Sequence, residues 1–288
     1  MLYTNTEMRV VFFGSSRVVV PIIEMLKLNF EVALVVTTEK SKSDPVPFYC
    51  TNKRINYLSV VKTSDLIGAN FLREAMAEIG IVADFGLILP EQVLETFPLG
   101  VINIHPSLLP KYRGPSPVQS TILNGDKETG VTIIKLDKYM DHGPIIWQEK
   151  TEIKPDETAM ELYERLFKSG AQILLRIAPR LEFLMLHPAP QNHEVATSTK
   201  PLARDDGYID FAKPVDKAFF DRMIRAYFPW PGVWSKAALN ENGEQKIVKF
   251  LPNKLIQVEG KNEMSYKDFL NGYPNADKKL VEFLKETL

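Results

Sequence analysis

The chain has 288 residues, 45% of them hydrophobic and 25% charged, which is enough apolar material for one large domain or two smaller ones. A formal net charge of -1 excludes a global field that would draw the protein to nucleic acid or anionic lipid, so any polyanion must be met by a local patch. The single Cys50 excludes an intramolecular disulfide framework, and the opening residues lack the pattern of a signal peptide, so a cytoplasmic protein is expected; a monomer is the separate expectation for its assembly. No membrane span is expected either. The apolar stretches near Val10 and Val20 are interrupted by Gly14, Ser15, Ser16 and Arg17, short of the roughly 20 residues a span needs.

MRVVFFG (8–14) reads as a strand closed by Gly14, and RVVVPIIEMLKLN after it has helical spacing. The turn between them is GSSRVV rather than GxGxxG, so Gly14 is read as serving a tight turn and not a dinucleotide pyrophosphate. FEVALVVTT (30–38) is a second strand and INYLSVVKT (55–63) a third. SDLIGANFLREAMAEIG (64–80) predicts a helix capped by Ser64 or Asp65. IGIVADFG (79–86) and GVINIHP (100–106) are further apolar runs. Continuous runs separated by helices indicate parallel strands covered on both faces, so residues 8–106 predict a doubly wound α/β sheet. Ligands of such sheets sit at the carboxyl ends of the strands, where Asn103 and His105 fall.

GVTIIKLDKYMDHGPIIWQEKTEI (130–153) predicts a hairpin-like extension of the sheet, and 158–186 a long amphipathic helix closing the first domain. HPAPQNHEVATST (187–199) has linker composition. Beyond it, YIDF, GVWSKAAL, KIVKF and LIQVEG are strand-like, KAFFDRMIRAY is helix-like, and NADKKLVEFLKETL is an amphipathic terminal helix. The expected division is a catalytic domain at 1–186, a linker at 187–205 and a small β-rich domain at 206–288.

Alternate residues of a strand share a face, so Asn103 and His105 address one small volume. Asn supplies a neutral donor for a developing oxyanion, and an imidazole exchanges protons near neutrality. Asp141, on the hairpin loop, is a candidate to orient the imidazole or hold a water against it. No Ser or Cys nucleophile is paired with this His in the sequence, which favours direct transfer to an incoming nucleophile over a covalent acyl-enzyme. His105, Asp141 and His142 as metal ligands lack HExxH spacing and a Cys cluster, so no metal is expected.

NIHPSLLPKYRGPSPVQ, followed at its spacing by ETGVTIIKLDKYMDHGPII, closely resembles the folate-dependent formyltransferases. The resemblance runs from about residue 8 to about residue 272. It implies a Rossmann-like formyltransferase domain followed by a small β-barrel resembling an OB fold, with 10-formyltetrahydrofolate as co-substrate and no metal. Asn103, His105 and Asp141 match the family's catalytic trio, and Ser107, Leu108, Leu109 and Pro110 match its folate-contacting segment. DFGLILP (84–90) resembles the segment beside the pterin, which adds Phe85, Gly86 and Leu87. The implied chemistry is attack of a primary amine on the formyl carbon. His105 and Asn103 would stabilise the oxygen, and Asp141 would hold His105 and an ordered water.

RDDGYIDF (204–211) and IRAYFPWPGVW (224–234) resemble the members that act on methionyl initiator tRNA; members acting on nucleotide-linked amino sugars share the trio and are the alternative. The enzyme acting on glycinamide ribonucleotide resembles the first domain alone. Two departures from the tRNA branch stand out. The loop TTEKSKSDPVPF is shorter than that branch's basic loop and offers Lys40 and Lys42, and residues 204–288 hold 14 Lys or Arg against 13 Asp or Glu, a net of +1. Lys213, Lys217, Arg222, Arg225, Lys246, Lys249 and Lys254 are the candidates for a local RNA patch. Arg113 and Gly114 are expected to shape the acceptor entrance, and Trp230 to be a packing aromatic.

Overall fold

The structure, a computed structural model, describes residues 8–67, 70–240 and 243–287. The chain forms two compact units: one takes the chain up to Pro117 with Glu128–Glu152 and Tyr163–Thr199, the other Val118–Lys127, Ile153–Leu162 and the chain from Lys200.

The first unit is built on seven strands: β1 (Met8–Gly14), β2 (Phe30–Thr37), β3 (Tyr57–Ser59), β4 (Ile79–Ala83), β5 (Val101–His105), β6 (Glu128–Lys135) and β7 (Ile145–Glu152). Their order is β3-β2-β1-β4-β5-β6-β7. The first five pair in parallel, and the hairpin β6–β7 adds antiparallel to β5, as the sequence predicts. Both faces of β1 are buried. Val11 and Phe13 join Val36, Val82, Phe85, Phe97 and Val101 in one cluster, while Val10 and Phe12 are fully buried opposite. Burial of each such side chain contributes roughly 1.5–3 kcal/mol, which is why the runs are continuous rather than alternating.

The helices up to Leu186 are α1 (Val20–Leu26), α2 (Pro45–Lys53), α3 (Asn70–Glu74), α4 (Glu91–Leu94), α5 (Pro117–Leu123), α6 (Ala159–Ile177) and α7 (Leu181–Leu186), of which α5 beyond Pro117 and the first turn of α6 belong to the second unit. Pro179, in a 3-10 turn at Ala178–Arg180, divides the expected long helix into α6 and α7. α2 was not anticipated; both its prolines sit in the first turn, where no backbone donor is needed, and the Asp44 carboxylate accepts the N–H groups of Lys40 and Ser41 at 3.0 and 2.8 Å. The expected helix 64–80 is not continuous. The Asp65 carboxylate turns back on the N–H groups of Val61 and Lys62 and holds a 3-10 turn at Thr63–Leu66; α3 is separate, with Gly68 and Ala69 outside the described residues. The expected strands 55–63 and 79–86 shorten to β3 and β4, the latter stopped by Asp84 with φ +48°.

Residues 187–199, expected as a linker, form a strap on the first unit. Ala189 and Ile145 exchange backbone hydrogen bonds at 2.7 and 2.8 Å, and Arg113 donates its N–H to the Thr197 carbonyl at 2.9 Å. Polar, proline-rich composition marks a segment without periodic burial, and backbone pairing with irregular partners satisfies it equally well.

The second unit contains α8 (Lys217–Tyr227), β8 (Val233–Ala238), β9 (Gln245–Leu251), β10 (Leu255–Val258), β11 (Glu263–Ser265), α9 (Tyr266–Gly272) and α10 (Lys278–Thr287). The strands pair antiparallel in the order β11-β10-β9-β8. This is a four-stranded antiparallel sheet; YIDF contributes only an isolated bridge, Tyr208 to Trp234. Phe211, Phe220, Phe250 and Phe283 interlock with ring centroids 4.9–6.0 Å apart, tying α8, β9 and α10 into one core. α10 buries Leu280, Phe283 and Leu284 as its amphipathic pattern predicts, with Leu288 outside the described residues. Trp230 is not the packed aromatic expected, being 57% exposed on a turn flanked by prolines.

Candidate active site

β5 brings Asn103 and His105 to one face at its carboxyl end, with Ile104 pointing to the other. α6 presses on that opposite face: a Cβ added at Gly170 would sit 2.3 Å from Ile104 Cγ2, so only glycine lets the helix lie this close. The loop between β6 and β7 returns Asp141 to the strand end. Gly143 makes that turn possible, since a Cβ there would fall 1.8 Å from the Lys135 carbonyl oxygen.

The three side chains meet. Asn103 Nδ2 donates to Asp141 Oδ1 at 3.1 Å, and the Gly114 N–H donates to Asp141 Oδ2 at 2.8 Å. His105 Nδ1 lies 3.6 Å from Asp141 Oδ1, beyond direct hydrogen bonding. His105 Nε2 is 3.0 Å from the Tyr112 carbonyl oxygen, which can only accept, so Nε2 carries a proton and Nδ1 is the nitrogen free to exchange one. Four non-glycine residues around the site have left-handed backbones: Ser16, Asp84, Tyr112 and Asp141, at φ +71°, +48°, +63° and +49°. Such strain clusters at functional sites.

A cavity of about 250 Å³ opens at the ends of β4 and β5. Phe85, Gly86 and Leu87 line it together with Asn103, His105 and Asp141, so the expected pterin segment and the trio share one space. Ser107, Leu108, Leu109 and Pro110 are not among its lining residues; Pro106 is. They build a hydrogen-bonded turn next to it. Ser107 is fully buried and donates to the Lys111 carbonyl at 2.7 Å, while Thr132 Oγ1 donates to the Ser107 carbonyl at 2.6 Å and accepts the Leu109 N–H at 3.1 Å. That turn delivers Tyr112 to His105 and Gly114 to Asp141.

Asp84 and Tyr163 also line the cavity and were not among the expected site residues. Asp84 is desolvated, which pushes its carboxyl above the usual range; the Ser16 hydroxyl, donating at 2.6 Å, opposes the shift and nearby Glu39 adds to it. Tyr163 on α6 also faces the cavity, and burial, reinforced by Asp84 and Asp141, holds its phenol proton on. Asp84 was legible as a charged residue ending an apolar strand; Tyr163 carried no signal beyond helical spacing. Arg113, expected to shape the acceptor entrance, pairs with Gln191 and His193. Among the described residues no group of three or more His, Cys, Asp or Glu side chains is placed to hold a metal ion, and no helix is long and apolar enough to cross a membrane.

A family model described as formyl transferase matches residues 8–178. The chain belongs to the formyl transferase family. Curated relatives extend the similarity: a methionyl-tRNA formyltransferase from Roseiflexus sp. (strain RS-1) is 40% identical over 245 residues, covering 81% of this chain and 75% of that protein. One from Thermus thermophilus is 37% identical over 233 residues, 78% of this chain and 75% of that protein. Among solved structures, a 4-N formyltransferase from Francisella tularensis superposes with a TM-score of 0.66 at 21% identity, covering 86% of this chain and 99% of that one, and shows the shared fold.

This formyl transferase takes 10-formyltetrahydrofolate as its donor, and the cavity suits a flat heteroaromatic ring. Phe85 and Leu87 give it apolar walls, and among the described residues the backbone N–H groups of Gly86 and Leu87 have no protein acceptor, so they remain available to a ring's polar edge.

Proposed function

We propose that this formyl transferase moves the formyl group of 10-formyltetrahydrofolate to the amino group of methionine on initiator tRNA, working in the cytoplasm as a monomer. The observation that carries the chemistry is the convergence of Asn103, His105 and Asp141 on one cavity wall shared with Phe85–Leu87. The acceptor rests on the relatives at 37–40% identity that carry the methionyl-tRNA name.

Asn103 gives one amide hydrogen to Asp141 and keeps the other for the formyl oxygen as negative charge develops on it; a placed donor of this kind contributes roughly 10²–10³ in rate. His105 keeps Nε2 protonated against Tyr112 and uses Nδ1 for proton exchange. The 3.6 Å separation between Nδ1 and Asp141 leaves that pair unbonded, and a water bridging the two would complete the relay. The amine nitrogen bonds to the formyl carbon, the bond from that carbon to the folate nitrogen breaks, and the proton lost by the amine passes through this relay to the departing nitrogen. Proton transfer by positioned groups contributes roughly 10²–10⁴. Ser107–Pro110 act on the folate side by shaping the turn. In the second unit we read the four-stranded sheet as the counterpart of an OB-like barrel.

The basic candidates of that unit are largely engaged: Lys213, Lys217 and Arg225 pair with Asp210, Glu286 and Asp221 at 3.7, 2.8 and 3.0 Å, and Lys246 pairs with Glu244. The exposed pairs of Lys213, Lys217 and Lys246 are worth about 0–1 kcal/mol, so tRNA phosphates compete for them readily, whereas the Arg225 side chain is largely covered. The test offers methionyl initiator tRNA and nucleotide-linked amino sugars in parallel, with Asp141→Asn as the inactive control. Transfer to tRNA that weakens with added salt supports the assignment; transfer to a sugar alone overturns the acceptor and leaves the folate chemistry standing.

A further inference from the structure

Beside the trio, a buried polar network of the first unit centres on a residue with no obvious chemistry. Gln191 lies on the strap 187–199 and is 6% exposed. Its Nε2 donates to two carbonyls of one loop, Asp141 at 2.9 Å and Gly143 at 2.7 Å. Its Oε1 accepts both Nε and Nη2 of Arg113, at 3.2 and 2.7 Å. Every polar capacity of the amide is used.

Those contacts join the two loops that complete the trio. Arg113 sits between Tyr112, whose carbonyl fixes the His105 tautomer, and Gly114, whose N–H holds the Asp141 carboxylate. The strap fastens the same stretch by backbone: Arg113 donates to the Thr197 carbonyl at 2.9 Å, and its own carbonyl accepts the Thr199 N–H at 2.7 Å. The strap therefore meets both loops while Gln191 bridges them.

We propose that Gln191 is a positioning residue for formyl transfer, its amide pinning the backbone on either side of Asp141 so that the carboxylate stays in register with His105 and Asn103. Asp141 holds a left-handed backbone, a conformation that persists only where the surroundings over-determine it. Two carbonyl contacts from one buried amide supply that constraint. This inference rests on the transfer chemistry assigned above to the same site, and not on the identity of the acceptor.

Gln191→Glu separates the roles. A carboxylate keeps and strengthens the pairing with Arg113 but has no N–H for the two loop carbonyls. The full-length variant is compared with wild type in formyl transfer, in folate binding, and in amide hydrogen exchange over residues 137–143. The expected result is a fall in kcat of roughly ten- to a hundredfold with KM nearly unchanged, as for a displaced catalytic group, and faster exchange in the loop. The kcat–pH profile should also shift, since the environment of Nδ1 changes with the carboxylate. Unchanged kcat and exchange would overturn the proposal, as would a loss of kcat with the loop still protected. Should the Glu variant fail to fold, Gln191→Met, which keeps the volume and removes all four contacts, is read by the same criteria. If wild type binds folate but transfers nothing to methionyl-tRNA, the acceptor assignment fails, and exchange in the folate-bound proteins still decides the role of Gln191.

Discussion

Asp141→Asn is nearly isosteric, so its effect reports charge and hydrogen-bond direction rather than shape. The carboxylate accepts from two donors, Asn103 Nδ2 at 3.1 Å and the Gly114 N–H at 2.8 Å, while a third direction faces His105 Nδ1 at 3.6 Å. An amide in its place has one accepting oxygen. If that oxygen meets Gly114, its NH2 confronts the NH2 of Asn103, and the conflict clears only when the Asn103 amide turns over and withdraws the donor meant for the formyl oxygen. A hydrogen bond to a charged group is worth about 1.5–3 kcal/mol, a factor of roughly 10 to 150 in the population of the working geometry. The charge beside Nδ1 is lost as well, removing a proton relay worth roughly 10²–10⁴. Together these predict a fall in kcat of at least about 10³-fold. Asn tolerates the left-handed backbone at this position, so the melting temperature should hold. The assay is single-turnover transfer at saturating folate, with folate affinity and thermal unfolding measured on the same preparation. A variant that binds folate normally and keeps more than a tenth of wild-type kcat would refute the assigned role of the carboxylate.

Three further outcomes follow from the geometry. Thr132 is fully buried and its hydroxyl serves the Ser107 carbonyl, the Leu109 N–H and Gln148 Nε2; Thr132→Val strands these groups at roughly 1–3 kcal/mol each and should lower the unfolding midpoint in urea, whereas an unchanged midpoint would show that they find other partners. Gly170→Ala drives a methyl to 2.3 Å from Ile104 Cγ2, predicting overpacking of about 1–3 kcal/mol, read by thermal unfolding, and weaker transfer because Ile104 lies between Asn103 and His105. For Asp84, whose folded pKa is raised by burial, the folded protein holds more protons than the unfolded chain, so its contribution to stability declines as pH rises through that window. Asp84→Asn should therefore raise the melting temperature at pH 7 by more than at pH 4, and equal shifts at the two pH values would contradict the assignment.

The strands that form the centre of the sheet were legible because each carries its own burial signal. β1, β2 and β4 carry apolar side chains at both parities, as an element covered on two faces has to, and β5 does so until Asn103 and His105 at its end. The pair Asn103 and His105 was legible for a similar reason, since a period of two places them on one face without further information. Short elements were less visible. α2 begins with prolines that resemble a loop, and the turn at Thr63–Leu66 depends on where the Asp65 carboxylate finds donors.

Sequence alone thus determined the local facts of this formyl transferase: which segments are strands, which helix faces are apolar, and which residue types stand at a strand end able to handle an oxyanion and a proton. Tertiary structure decided how distant loops meet. The contacts that set Asp141 span 38 residues to Asn103, 27 to Gly114 and 50 to Gln191. Periodicity reports the environment of each segment separately, whereas a hydrogen bond between loops depends on chain closure over the whole sheet. A strap of linker composition therefore became part of the site, held to it by contacts that no local pattern reports.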